Sequence, residues 1–189
     1  MVQPVVQESH ADMRQGDWMQ TYSGYQFWPL DPMPEDVHIL DIAHALSNQC
    51  RFAGHCRTFY SVAQHSVIVS QVVPLHDALW GLLHDAAEAY LVDLPRPLKR
   101  HSEMGRLYQA IEGRLVHVIC ERFGLPTDEP ESVRLADDVV LMAEKRDLMP
   151  GIYKWSEVAE PLSENILCLN PIEAEDQFIL RAEKLGLTL

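Results

Sequence analysis

Hydrophobic and polar positions follow two different periods along this chain. From Gln20 to Trp28 (QTYSGYQFW), aromatic and polar residues alternate around Ser23-Gly24, which predicts a short β-hairpin. Pro29, Pro32 and Pro34 end that pattern. From there the period is helical. Ile39, Ile42, Ala43 and Leu46 recur at three- and four-residue spacing behind Asp36, a candidate cap. A second helix is expected from about Ser61 to Val73, stopped by Pro74. A third starts near Leu75 and carries ALWGLLHDAAEAY until Pro95 and Pro97 interrupt it. A long amphipathic segment from His101 to Phe123 closes at Gly124, with Pro126 beyond. Glu131 to Leu148 and Glu173 to Leu185 complete the helices. Asn165 to Leu169 reads as a short strand that pairs with the first hairpin. Helices joined by short turns, with only a small β-hairpin and short strand element, predict an all-α fold built as a compact bundle. Residues 1–19 read as a loose N-terminal segment, and 20–189 as a single domain.

Composition narrows the function classes. With 47% hydrophobic and 23% charged residues, the 189-residue chain is ordinary globular material rather than a disordered or disulfide-stapled one. No apolar run approaches the ~18 residues needed to span a bilayer. The N-terminus has no basic stretch leading into an apolar one, so no secretory signal is expected. The four cysteines form no C-x-x-C pair and are expected as reduced thiols of a cytoplasmic protein. The net charge of −13 argues against duplex nucleic acid and anionic membranes as partners, because both are bound by clustered Lys and Arg. It leaves room for a small anionic substrate, since a metal ion and a few local cations can reverse the field within one cleft. Nine histidines point toward metal chemistry.

The chemistry gathers around His84-Asp85-Ala86-Ala87-Glu88, at the end of an apolar helix. On a helix, His84 and Glu88 are four apart and Asp85 and Glu88 three apart, so all three can face one cleft. His65 lies on the preceding helix, in SVAQHSVIVS, and Asp137 on a later one, in RLADDVVLMAEKRDL. Two imidazoles and two carboxylates from three helices make a mixed N/O donor set. Such a set suits a divalent transition ion, Mn²⁺, Co²⁺, Fe²⁺ or Zn²⁺. The second His-Asp pair, His76-Asp77, follows Pro74 and is read as structural, with Asp77 favoured by the helix N-terminus. His44 and the indoles of Trp28, Trp80 and Trp155 are read as packing residues, and Glu144-Lys145-Arg146-Asp147 as a solvated, charge-paired helix face. No phosphate-binding G-x-x-x-x-G-K-[ST] loop and no G-x-S-x-G elbow occur.

The pattern H…HD…D, seen as His65 in VAQHS, His84-Asp85 in LLHDAAEAYLVDLPRPLK and Asp137 in RLADD, resembles the signature of HD-domain phosphohydrolases. The longer stretches HDAAE-x4-DLP-x-P-x-K and DIAHALSNQCRFAGHCRTFYSVAQHS are similar to small members of that superfamily, across roughly residues 20–150. They resemble the bacterial 5′-deoxynucleotidases, and still more the phage and bacterial deoxynucleoside triphosphate hydrolases, dATP-specific ones included. The resemblance implies an HD-type helical bundle with the principal metal on His65, His84, Asp85 and Asp137. It implies that Glu88 orients or deprotonates the attacking water, and that Asp93 helps with a second cation or the deoxyribose. Arg51, Lys99 and Arg134 are implied as phosphate contacts. Phe52 is implied at the sugar 2′ position, and Pro97 in the base pocket. Asp137 is preferred to Asp138 because it stands seven residues before Glu144, as in the family's pattern. His55, in the loop with Gly54 near Arg51, is a further candidate for touching substrate.

The implied reaction is hydrolysis of a deoxynucleotide. The first expectation is a dNTP triphosphohydrolase favouring dATP, which releases deoxynucleoside and triphosphate, with Mg²⁺ accompanying the triphosphate. The alternative is a 5′-deoxynucleotidase acting on monophosphates. An inactive nucleotide-binding HD module is a third reading, from another class; retention of Glu88 and Asp93 beside all four ligands weighs against it. Small enzymes of this kind resemble closed homo-oligomers, so a dimer or hexamer is expected, in the cytoplasm, or the host cytoplasm if the chain is phage-encoded.

Overall fold

Residues 14–151, 155 and 158–188 are described by a computed structural model. Most of the N-terminal segment expected to be loose, residues 1–13, lies outside them. Arg14 is already anchored: its guanidinium pairs with Asp36 at 2.7 Å and Asp31 at 3.3 Å and covers the Trp28 ring.

The expected hairpin is present as β1 (Met19–Gln20) and β2 (Gln26–Phe27), antiparallel, with Met19 opposite Phe27. Phe27 is the strand residue that reaches the core, where its ring stacks on Tyr90 at 4.0 Å. A 3₁₀ turn at Pro34–Asp36 follows, and the Asp36 carboxylate accepts the Met33 amide at 3.1 Å. Asp36 thus serves that turn and Arg14, and not the helix it was expected to cap. Helix α1 (Ile39–Asn48) starts without a side-chain cap.

Helix α2 (Val62–Val72) is the centre of the bundle, packed by α1, α3, α7 and α8. Ser61 caps it by accepting the Gln64 amide at 3.1 Å. Its buried residues lie all round the helix, which fits a fully enclosed position. The predicted third helix is broken into pieces: a 3₁₀ turn at Leu75–Asp77, α3 (Ala78–Leu83), a tightened turn at 84–87, and α4 (Glu88–Leu91). Through the turn, backbone bonds run to the third residue back, as in Glu88 N to Asp85 O at 2.9 Å. Helices α5 (Arg96–His101), α6 (Glu103–Phe123) and α7 (Glu131–Leu148) follow. Gly124 closes α6 in the left-handed conformation, as its position predicts. Helix α8 (Pro171–Lys184) opens with an Asn170–Glu173 capping box.

The strand expected at Asn165 to Leu169 does not form. The Gln64 side chain takes the role of a strand partner there, donating to Leu167 O at 2.6 Å and accepting from Leu169 N at 3.0 Å. The fold is mostly helical, with a two-stranded hairpin. None of its described helices is long and apolar enough to cross a membrane.

Two glycines fix helix spacing around the site. A Cβ on Gly81 would stand 3.2 Å from Ser70 Cα and Val73 Cγ2, so glycine is what lets α3 lie this close to α2. A Cβ on Gly105 would collide with the backbone carbonyls of Leu98 and Lys99, which cannot rotate away. Gly105→Ala is therefore expected to push α5 off α6 and destabilise the fold by ~1–3 kcal/mol, the range for overpacking. Urea unfolding measures this; a loss under ~0.5 kcal/mol would mean that α5 does not dock there.

Candidate metal centre

Three helical elements deliver the donors. His65 projects from the middle of α2, His84 and Asp85 from the turn that follows α3, and Asp137 from α7. Close packing of α3 on α2 brings His84 Nε2 within 3.2 Å of His65 Nε2. Asp137 Oδ1 is 3.2 Å from His65 Nε2, and Asp85 Oδ2 is 3.3 Å from His84 Nε2 and 3.7 Å from His65 Nε2. His65, His84 and Asp137 form a group able to hold a metal ion, with Asp85 beside it. Donors about 2.0–2.2 Å from one ion stand roughly 3–3.5 Å apart. The His65–His84, His65–Asp137 and His84–Asp85 separations already match it.

The tautomers are set from behind. His65 Nδ1 donates to Glu144 Oε1 at 2.7 Å, and His84 Nδ1 donates to Gly81 O at 2.8 Å. Both acceptors lack a proton to give, so both Nδ1 atoms carry hydrogen and both Nε2 lone pairs face the same point. Two such lone pairs cannot bond to one another. A cation between them resolves the conflict, and the outer hydrogen bonds are those that orient histidine ligands.

Charges at the site shift accordingly. Burial works against a charged His84 ring, but Asp85 and then Asp137 outweigh it and carry His84 up to about 9. Burial likewise opposes Asp85 ionisation, yet His84, His65 and Arg51 hold this carboxylate well below its usual range. His65 and His84 bring Asp137 down to about 2 against the effect of burial. Glu88 goes the other way. Burial first, then the neighbouring charges of Asp85 and Asp93, push its carboxyl well above the ordinary value, with Arg51 and Lys99 pulling back.

The other predicted residues are placed unevenly. Arg51 joins the cluster from behind, its guanidinium 3.4 Å from Asp85 and 3.1 Å from Glu144, with its Nε buried and unpartnered. Phe52 sits under Arg51 and edge-on to Trp155. Lys99 bridges Asp93 at 3.4 Å and Glu112 at 2.9 Å. Arg134 is exposed on α7, three residues before Asp137. His55 and Pro97 are exposed, at the end of the Arg51 turn and in the first turn of α5. Asp77 accepts from the Ser132 hydroxyl, a structural contact. Trp28 and Trp80 are core residues, whereas Trp155 is partly exposed.

One residue read as part of a solvated face is the reverse. Glu144 is fully buried and holds both His65 and Arg51. Its seven-residue spacing from Asp137, two helical turns, was the available signal. The turn carrying Arg51 is strained: Phe52 and Ala53 adopt φ of 54° and 50°, the left-handed region, before Gly54. Ala53 is exposed, so Ala53→Gly is expected to stabilise the protein by ~0.5–1 kcal/mol, the relieved strain exceeding the added chain entropy. Thermal unfolding checks this, and a destabilised variant would refute the left-handed turn.

The chain is 41% identical over 173 residues to the uncharacterized protein YfdR of Escherichia coli (strain K12), an overlap of 89% of this chain and 96% of that one. It is 36% identical over 128 residues to the uncharacterized protein RCAP_rcc00048 of Rhodobacter capsulatus, covering 63% of this chain and 64% of the relative. No family model matches it.

Proposed function

The chain belongs to the family of Escherichia coli YfdR, and from its donor cluster we propose that it is a metal-dependent phosphohydrolase of the HD type acting on deoxynucleotides. The observation that carries this reading is the pair of histidine Nε2 atoms 3.2 Å apart, both oriented by Nδ1 hydrogen bonds, with two carboxylates alongside. His65, His84, Asp85 and Asp137 would hold a Mn²⁺, Co²⁺, Fe²⁺ or Zn²⁺ ion. When bound, such an ion supplies Lewis-acid polarisation of a phosphoryl oxygen and a nucleophile at neutral pH.

The chain's own residues supply the rest. Glu88, with its raised proton affinity, takes a proton from the attacking water. Arg134 neutralises non-bridging phosphate oxygens and Phe52 packs on the deoxyribose, while Arg51, already matched by Asp85 and Glu144, steadies the ligand cluster from behind. In the favoured reaction water attacks the α-phosphorus of a dNTP, dATP before others, and the bond to the nucleoside 5′-oxygen breaks. Deoxynucleoside and triphosphate leave, with Mg²⁺ accompanying the triphosphate. One observation favours a second reading. Lys99, counted toward the charge of a triphosphate, is already matched by Asp93 and Glu112, which lessens the positive field beyond the α-phosphate. That suits a 5′-deoxynucleotidase.

The test is to incubate the metal-stripped protein with each dNTP, NTP and dNMP, restore Mn²⁺, Co²⁺, Zn²⁺ or Mg²⁺, and resolve the products. Triphosphate with deoxyadenosine from dATP, lost in His84→Ala, is the expected result. Phosphate from monophosphates alone would select the second reading, and no turnover with any metal would sink both.

A further inference from the structure

Val92 has a backbone that its side chain does not favour. Its φ is 62° and its ψ 151°, a region that β-branched residues rarely enter and that belongs almost wholly to glycine. The side chain is 61% exposed, so burial of the isopropyl group does not compel it. The residue is the joint between α4, which begins at Glu88, and the stretch Asp93-Leu94-Pro95 that leads into α5. A residue kept against its preference needs contacts that hold it there.

Such contacts come from both sides. Val92 N donates to Glu88 O at 3.0 Å, which ends α4. The Val92 carbonyl accepts from the hydroxyl of Tyr108, sixteen residues on. Tyr108 stands on α6 three residues after Gly105, the glycine that lets α5 lie against that helix. Glu112 follows one turn later on the same face. Lys99 of α5 reaches both: its ammonium is 2.9 Å from Glu112, 3.4 Å from Asp93 and 5.2 Å from the centre of the Tyr108 ring. The phenol also faces the metal centre. Burial first, then the charges of Glu112, Glu88, Asp93 and Asp85, raise its proton affinity, so it remains a neutral donor.

Asp93 depends on this arrangement. Its carboxylate is about half exposed, and Lys99 is its one ion-pair partner among the described residues. The direction in which the chain leaves Val92 therefore aims it more than its own packing does. It stands close enough to Glu88 for its charge to act there.

We propose that Tyr108 is a positioning residue: its hydroxyl holds the Val92 peptide at positive φ and so keeps Asp93 beside Glu88 at the edge of the metal centre. The effect on turnover rests on the phosphohydrolase reading; the holding of the peptide does not.

Backbone couplings of Val92 in the full, isotope-labelled chain report the sign of φ without reference to activity. A positive φ is expected in the unaltered protein and a negative one in Tyr108→Phe, with the helical spectrum unchanged. Deoxynucleotide turnover by Tyr108→Phe should fall ~10–100-fold, the scale for a group displaced by about 1 Å. Asp93→Asn should fall at least as far, and the two changes together no further than Asp93→Asn alone, because both act through one carboxylate. Adding Val92→Gly to Tyr108→Phe should restore turnover severalfold, since glycine takes this φ unaided. A phenol that merely supported the fold would add its effect to that of Asp93→Asn and gain nothing from the glycine. The proposal is overturned if Val92 keeps a positive φ in Tyr108→Phe, if that variant turns over as the unaltered protein does, or if its effect and that of Asp93→Asn add. An unaltered protein that turns over no deoxynucleotide would sink the phosphohydrolase reading alone, and the couplings would still decide whether Tyr108 holds the peptide.

Discussion

Glu88→Gln is expected to lower the rate of deoxynucleotide hydrolysis by ~10²–10⁴-fold, the usual contribution of a positioned proton-transfer group, and at the same time to raise the melting temperature of the metal-free protein. The two effects have one origin. Glu88 is 8% exposed and faces the charges of Asp85 and Asp93, so the fold favours its protonated form. A carboxyl whose folded-state pKa is raised leaves stability intact at low pH and withdraws it as pH rises through the folded value. In buffers where Glu88 is ionised, it therefore strains the fold, and a neutral amide of equal shape relieves the strain. The same proton affinity makes it an effective base. Since Glu88 is not among the proposed ligands, metal content should stay at the level of the unaltered protein. Melting curves in chelator, metal analysis and turnover on one preparation test all three points. A variant that keeps its activity would remove Glu88 from the reaction. One that melts lower would show that the carboxylate is stabilising where it sits.

What the sequence makes legible depends on the kind of information each feature needs. Helix α7 was expected at Glu131 to Leu148 and occupies those residues, because apolar periodicity and the flanking prolines act locally. The gathering of His65, His84 and Asp137 was legible as well: they come from three separately recognisable segments. The break between α3 and α4 was not. HDAAEAY continues a good helical pattern, and only tertiary packing tightens residues 84–87 into 3₁₀ bonds. Nor was the Asn165 to Leu169 segment, whose alternation suits a strand but whose hydrogen bonds go to one glutamine side chain. The left-handed Phe52–Ala53 turn was hidden because only Gly54 announces a positive φ. Gly105 carries no local sign either. Its role exists only where the backbone of α5 crosses it.

Glu144 was misread for a related reason, and its removal has the largest consequence expected for stability. Charged residues in a run usually face water, yet this one is fully enclosed, with Arg51 Nη2 at 3.1 Å and His65 Nδ1 at 2.7 Å. Burial opposes its ionisation, but Arg51 and His65 more than compensate and hold it below the usual carboxylate range. Glu144→Ala would leave the mostly buried Arg51 guanidinium with Asp85 alone, at 3.4 Å. Breaking a buried pair from one side costs ~3–5 kcal/mol, far more than the intact pair contributes. It would also free the His65 ring to change tautomer, so metal affinity is expected to fall ~10–100-fold. Glu144→Gln separates the two effects. Its amide carbonyl can still accept from His65 Nδ1, so it should recover most of the metal affinity and little of the stability. Urea unfolding and competition with a chromogenic chelator read the two quantities independently. If both variants bind metal as tightly as the unaltered protein, Glu144 acts only through Arg51. If both unfold at the original urea midpoint, the buried pair is not what holds α7 against the Arg51 turn.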